Sequence, residues 1–341
     1  MKIKTSKRYL YPAGIALVLI IGIIVYFFFS SVSTKSDTLY IYIDGDDTQD
    51  SVIAKIKPNA STVGMASLQT LLRHSGYGDN IKTGRYAIKP NEGVITVYRK
   101  LKNGQQTSMN LTIPEARTME RLAALLGKKL MLDSATIASA LCSQETCEKY
   151  GYDTCTISAM FIPNTYDIYW NISIEGLLER MQKEHDHFWD GSRTAKATAI
   201  PLTPNEVATL ASIIDEETAN TAEKPMIAGM YINRLKQGMP LQADPTIKFA
   251  LKDFGLKRIY NKLLRTESPY NTYLHEGLPP GPIKVASIKG IDAVLNFVQH
   301  DYLYMCAKED FSGTHNFAKT YAEHLQNAAK YTKALNERGI K

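Results

Sequence analysis

The sequence predicts an α+β protein: one N-terminal membrane-crossing helix, a small module of mixed short elements, and a larger helix-rich mixed α+β region. Three observations carry that prediction. Leu10 to Phe29 is a run of 20 residues without a charge, long enough at about 1.5 Å per residue to cross about 30 Å of hydrocarbon. Between Thr38 and Ile113, short alternating stretches trade places with short stretches of helical spacing. From Pro114 onward helical spacing dominates, and loops dense in Pro, Gly, Asn and Tyr separate the helices.

Composition bounds the function. The chain has 341 residues, 44% hydrophobic and 22% charged, enough for two ordinary domains with cores of their own. High aliphatic content beside only 21 Gly and 14 Pro excludes a disordered or collagenous chain. The net charge is +6, but four of those charges sit on Lys2, Lys4, Lys7 and Arg8. The remaining body is near neutral and lacks the concentrated basic surface that neutralises phosphates. Nucleic acid is not an expected partner.

The apolar run exceeds a signal-peptide apolar region of about 7–15 residues, and only a weak cleavage candidate, Ser31-Val-Ser33, follows it. The expectation is an uncleaved single-pass anchor over 10–29, with the basic tail 1–9 cytoplasmic and the rest outside the inner membrane. In an oxidising compartment the cluster Cys142, Cys147 and Cys155 permits one local disulfide, with Cys306 apart. Its spacing has no adjacent histidine and matches no four-ligand zinc pattern, so no metal is expected.

Along the chain, residues 30–37 read as a polar linker. Thr38–Ile43 reads as a strand closed by Asp44-Gly-Asp-Asp47, and Ser67–Arg73 has helical spacing. Gly84–Pro90 is a strand entering a turn, Val94–Leu101 a helix ending near Asn103-Gly104, and Met109–Ile113 another strand. These make one module, 38–113. In the remainder, 114–341, helices are expected at Thr118–Leu132, Ser134–Leu141, Ile174–Trp189, Pro204–Thr218, Lys224–Lys236 and Lys319–Glu337.

The helix from Pro204 is the informative one. Thr203 caps it, Pro204 suits its first position, and Glu206 completes a capping box. Val207, Leu210, Ala211, Ile214 and Thr218 then share one face. Asp215, Glu216 and Glu217 follow the wheel at about 100° per residue: with Val207 at zero they point to roughly +80°, 180° and −80°. Glu216 is expected to face away from the core, whereas Glu217 sits at the edge of the apolar stripe beside Leu210 and Ile213. By composition alone, three acids near a helix end are a solvated cap. A partly desolvated Glu217, however, has a raised pKa and suits general-acid chemistry at a glycosidic bond.

The text around this helix resembles the endolytic murein transglycosylase family, the YceG-like proteins. Leu210-Ala-Ser-Ile-Ile-Asp-Glu-Glu-Thr218 is similar to the family's catalytic segment. Further blocks follow in family order: Tyr231-Ile-Asn-Arg-Leu235, Gly238-Met-Pro-Leu-Gln-Ala-Asp-Pro-Thr246, Ser268-Pro-Tyr-Asn-Thr-Tyr273, Gly277–Ile283 and Gly313-Thr-His-Asn-Phe317. Phe161-Ile-Pro-Asn-Thr-Tyr166 resembles a further segment, with Asn164 in place of an Asp. The resemblance implies that 114–341 is the catalytic domain, that 38–113 is LysM-like, and that Glu217 is the catalytic acid and then base. It implies cleavage of the MurNAc–GlcNAc β-1,4 bond of nascent peptidoglycan to a 1,6-anhydroMurNAc end, without cofactor, beside penicillin-binding synthases.

Other positions carry two readings. Asp244-Pro-Thr246 is either a plain turn start or places Gln242, Asp244 and Thr246 towards the sugar. In the Ser268 block, either the segment is a surface turn or the rings of Tyr270 and Tyr273 pack on pyranose faces while Asn271 and Thr272 hydrogen-bond the sugar. Gly277–Pro282 is expected to wall the cleft, and His315 is either a structural hydrogen-bonder, as a lone His more often is, or a ligand or second base. Two competing functions stay open. A water-using muramidase would draw its second carboxylate from Asp215 or Asp244. A non-catalytic peptidoglycan-binding anchor would use the LysM-like module.

Overall fold

The computed structural model describes residues 7–256 and 259–339, so the basic residues Lys2 and Lys4 lie outside the described residues. The chain divides into two compact units. One holds the described residues to Leu111 together with Asp167–Ile172, the other Thr112–Tyr166 and the described residues from Ser173.

The first unit begins with α1 (Lys7–Phe29), whose span Tyr11–Phe29 is, among the described residues, the one helix long and apolar enough to cross a membrane. Then come β1 (Leu39–Ile43), α2 (Gln49–Ile56), α3 (Thr62–His74), β2 (Gly84–Ile88), α4 (Val94–Asn103) and β3 (Met109–Thr112). β1 and β2 pair antiparallel with Ile41 opposite Tyr86. Strand alternation buries Ile41 and Ile43 while Tyr40 and Tyr42 stay exposed. The core packs Ile41, Ile43, Val52, Leu68, Leu72, Val94 and Leu101. α4 ends where expected, with Gly104 in the left-handed region at φ +67. The expected linker is in part structural. Val32 is fully buried and its backbone bonds Glu92 and Ser61, because its apolar side chain fills the core beside α3 and α4.

The second unit runs through α5 (Met119–Gly127), α6 (Ser134–Leu141), α7 (Gln144–Lys149), the first two residues of β4 (Thr165–Ile168), α8 (Ile174–Phe188), α9 (Gly191–Ala199), α10 (Pro204–Glu217), α11 (Lys224–Lys236), α12 (Asp244–Ala250), α13 (Ile288–Leu295), β5 (Tyr304–Ala307), β6 (His315–Ala318) and α14 (Tyr321–Glu337). β5 and β6 form an antiparallel hairpin in which Cys306 faces Asn316. α5 stops at Gly127, earlier than expected. There α6 approaches so closely that a side chain on Gly127 would meet the Ser134 backbone at 2.7 Å. All four cysteines are free, so the local disulfide does not form here.

α10 is the centre of this unit. Thr203 Oγ1 accepts from Glu206 N at 3.3 Å and Glu206 Oε2 accepts from Thr203 N at 2.7 Å, completing the capping box. The expectation of one core-facing stripe understates its burial: every residue from Val207 to Ile214 is buried, since α9, α11, α12 and α13 all pack around it. Its polar members are satisfied inside. Ser212 Oγ donates to Thr209 O at 2.7 Å and accepts from Ile283 N at 3.0 Å, which fixes the chain entering α13.

Asp215 leaves this helix towards α11 and α13. Lys224 Nζ, Ser287 N (2.7 Å) and Ser287 Oγ (2.8 Å) all donate to its carboxylate, and its side chain is 1% exposed. Removing one partner of a buried ion pair leaves the other charge uncompensated. Asp215→Ala should therefore lower unfolding free energy by about 3–5 kcal/mol in urea titrations.

Candidate active site

The last turn of α10 sends three consecutive acids to three different places. Asp215 is consumed as a tie. Glu216 does not face solvent as expected. Arg117 Nη2 donates to it at 2.7 Å, Lys284 Nζ lies 3.4 Å away, and its side chain is 16% exposed. Burial works to raise its carboxyl, but the Arg117 hydrogen bonds and the Lys284 charge outweigh that and hold it below the usual range.

Glu217 meets no cation within ion-pair distance among the described residues. It is half-buried and lines a cavity of about 410 Å³. Burial, which disfavours the charged form, raises its pKa to about 7, against the hydrogen bond that Tyr231 Oη donates to its Oε1 at 2.7 Å. The negative charge of Asp244 adds to the rise. Near neutral pH the group is therefore poised between donating and accepting a proton.

The opposite wall comes from distant segments. Tyr231 and Arg234 stand three residues apart on α11 and share a face. Arg234 donates to Pro240 O (2.9 Å), Leu303 O (2.8 Å) and Gln242 Oε1 (2.7 Å), tying α11 to the 240–242 turn and the approach to β5. Gln242 sits in the left-handed region at φ +53, a conformation that costs on the order of 1 kcal/mol for a non-glycine residue. It is held there between buried Leu241 and Ala243, with its N–H bonded to Thr272 O at 2.9 Å. The hairpin and α14 contribute Tyr304, Cys306, His315 and His324. Glu223 accepts from His315 N (2.6 Å) and lies 2.9 Å from its Nδ1, so His315 is anchored as well as lining the cavity.

Of the expected substrate contacts, Gln242, Asp244 and Tyr273 line the cavity with Glu217. The others do not reach it. Asn271 and Thr246 are fully buried and Thr272 is 2% exposed. Asn271 Nδ2 donates to Leu264 O and Thr266 O, while Thr272 Oγ1 accepts from Ala243 N and meets Thr246 Oγ1 at 2.9 Å. These three form a strut behind the wall, because a buried polar side chain must spend its hydrogen bonds within the protein. Tyr270 packs on Phe249, ring centroids 4.7 Å apart, beside a separate cavity that Cys142 and Cys155 also line. Asp244-Pro-Thr246 opens α12 rather than a plain turn. The Gly277–Pro282 loop does not wall this cavity. Gly281 presses on Cys155, where a Cβ would come within 2.2 Å of the carbonyl oxygen.

The chemistry-bearing residues that sequence reading left without a role are Tyr231 and Arg234. The signal for them was the Tyr231-x-x-Arg234 spacing on the helix after the acids. Among the described residues, no group of three or more His, Cys, Asp or Glu side chains is gathered to hold a metal ion.

The model of the YceG-like family matches residues 41–330. The chain belongs to this family. A relative named endolytic murein transglycosylase from Bacillus subtilis is 27% identical over 318 residues, covering 88% of this chain and 87% of its own length. One of the same name from Streptococcus pneumoniae is 27% identical over 290 residues, and this chain spans about half of that longer protein, 52%. The crystal structure of a YceG-like protein from Listeria monocytogenes superposes with a TM-score of 0.55 at 24% identity, over 86% of this chain and 99% of that one. At that identity the likeness concerns the fold.

A raised carboxyl pKa also has a stability consequence. The folded state holds the Glu217 proton more tightly than the unfolded chain, so it binds more protons between the ordinary glutamate value and about pH 7. Its contribution is fully present at low pH and is lost as pH rises through about 7. Glu217→Gln, which stays neutral, should therefore stabilise the protein by about 1–3 kcal/mol at pH 8. At pH 5 the same substitution should change little. Thermal unfolding at the two pH values checks the difference.

Proposed function

We propose that this YceG-like protein is an endolytic lytic transglycosylase that cuts the β-1,4 bond between MurNAc and GlcNAc in peptidoglycan strands. The observation that carries the reading is Glu217: a half-buried carboxyl with no ion-pair partner among the described residues and a pKa near neutrality, in a cavity of sugar-sized volume, at the position matching the family's catalytic segment. The names of the relatives from Bacillus subtilis and Streptococcus pneumoniae support the reaction class.

In this scheme Glu217 donates its proton to the glycosidic oxygen as the bond from C1 of MurNAc breaks and an oxocarbenium-like state develops. Glu217, now a carboxylate, takes the proton of the same sugar's C6 hydroxyl. The C6 oxygen closes on C1 to give the 1,6-anhydro ring, and no water is consumed. Tyr231, donating to Oε1, fixes the carboxyl's orientation and leaves Oε2 to exchange the proton. The internal nucleophile removes the need for a base that activates water. Of the two carboxylates once open to that second role, Asp215 has its oxygens committed to Lys224 and Ser287. A muramidase would depend on Asp244.

α1 serves in this proposal as a single-pass anchor in the bacterial inner membrane, its N-terminus cytoplasmic. It tethers the enzyme where nascent strands leave the penicillin-binding synthases.

Digestion of uncrosslinked glycan strands by the full-length protein, read by mass spectrometry, tests the reaction. Ends lighter by one water than hydrolysis products are expected, and Glu217→Gln should lower their rate of formation by about 10²–10⁴-fold. Ends carrying the added water would make the enzyme a muramidase. For the wild type, kcat/KM should fall as pH rises through about 7, where the acid of the free enzyme loses its proton.

A further inference from the structure

The cavity contains a second carboxylate that the acid–base scheme leaves without a task. The other acids around α10 are spoken for: Asp215 by Lys224, Glu216 by Arg117 and Lys284, and Glu223 by His315. Asp244 is different. It is exposed, it lines the cavity with Glu217, and no described Lys, Arg or His lies within ion-pair distance of it. Its position is nevertheless fixed. Tyr273 Oη donates to Oδ1 at 2.6 Å, and Tyr273 is itself held by its N–H on Asn271 Oδ1 at 2.9 Å. The buried strut of Thr246, Asn271 and Thr272 supports both residues. One oxygen of Asp244 is thus clamped, and Oδ2 has no hydrogen bond from the described residues.

We propose that the Asp244 carboxylate, clamped by Tyr273, is the fixed negative charge that faces the reacting MurNAc ring and stabilises its oxocarbenium-like state. The proposal rests on the transglycosylase reading and assigns that site a second catalytic group. Positive charge develops at C1 and the ring oxygen as Glu217 gives up its proton. A preorganised opposite charge stabilises such a state without reorganising at the moment of reaction. Asp244 forms no bond to the sugar and exchanges no proton, so the scheme stays balanced through Glu217 alone. Its charge also opposes ionisation of Glu217, which favours return of the C6 proton to that residue.

The other charged or titratable groups around Glu217 are Tyr231 and Arg234 from α11, Lys248 from α12 and Glu216 beside it on α10. Tyr273 also lines the cavity, as do Tyr304 and Cys306 from β5, His315 from β6 and His324 from α14. Lys248 acts against Asp244 on the Glu217 proton, and Glu216 acts with it. A change confined to Asp244 isolates its share.

The test uses full-length protein in detergent with uncrosslinked glycan strands, measuring kcat and KM between about pH 5 and pH 8.5. Asp244→Asn should lower kcat by about 10²-fold with KM nearly unchanged, and should move the upper limb of the kcat profile to lower pH. Tyr273→Phe, which keeps the charge but loosens it, should lower kcat in the same direction by less. A raised KM with kcat and the pH limb both unchanged in Asp244→Asn would overturn the proposal, because Asp244 would then be a simple sugar contact. Glu217→Gln run alongside separates the two levels. Wild-type activity in that variant would remove the transglycosylase reading itself. Loss of activity there, with an unaltered kcat and pH limb in Asp244→Asn, would remove only the role given to Asp244.

Discussion

The enclosure of α10 is the constraint on which the site depends. A helix with one apolar face would have delivered Asp215, Glu216 and Glu217 to solvent as an acidic cap. Burial from Val207 to Ile214 instead makes the final turn emerge among neighbouring segments, so each acid must be satisfied by what it meets there. Asp215 meets Lys224 and Ser287, and Glu216 meets Arg117 and Lys284. Among the described residues, Glu217 takes its hydrogen bond from the hydroxyl of Tyr231 alone. Three adjacent residues of nearly the same chemistry thereby become an anchor, a surface tie and a poised acid. Environment, not residue type, separates them.

The rest of the cavity follows from holding that acid opposite a fixed wall. Arg234 gathers the backbone at Pro240 and Leu303 and the side chain of Gln242 into one place. The buried strut keeps Gln242 in its strained conformation and sets Asp244 and Tyr273 at the cavity edge. Strain and buried polar groups concentrate where geometry has to be held for function. The two tyrosines have parallel jobs: Tyr231 orients Glu217 and Tyr273 orients Asp244.

Local signals were legible in the sequence wherever a few neighbouring residues determine the outcome. The capping box at Thr203, the strand alternation of β1 and the left-handed Gly104 stop of α4 are cases of this kind. The position of Glu217 at the edge of the apolar stripe was also readable from helix geometry. Outcomes that depend on tertiary partners were not. Nothing local to Glu216 announces Arg117, 99 residues earlier, and the wheel accordingly sent Glu216 outward. The Ser268–Tyr273 block illustrates the same limit. Its polar residues suit either sugar or backbone, and only burial assigns Asn271 and Thr272 to the backbone while leaving Tyr273 at the cavity. β5 and β6 were missed because neither Tyr304-Met-Cys-Ala307 nor His315-Asn-Phe-Ala318 alternates apolar with polar residues as β3 does.

The claim most exposed to direct measurement is that Glu217 remains protonated close to neutral pH. Difference infrared spectroscopy of wild type against Glu217→Gln, followed across a pH titration, isolates the carbonyl band of this one carboxylic acid. A band that disappears with a midpoint near pH 7 is the expected result. A midpoint near the ordinary glutamate value of about 4.3 would contradict the account, since a carboxyl already ionised at neutral pH has no proton to give to a glycosidic oxygen.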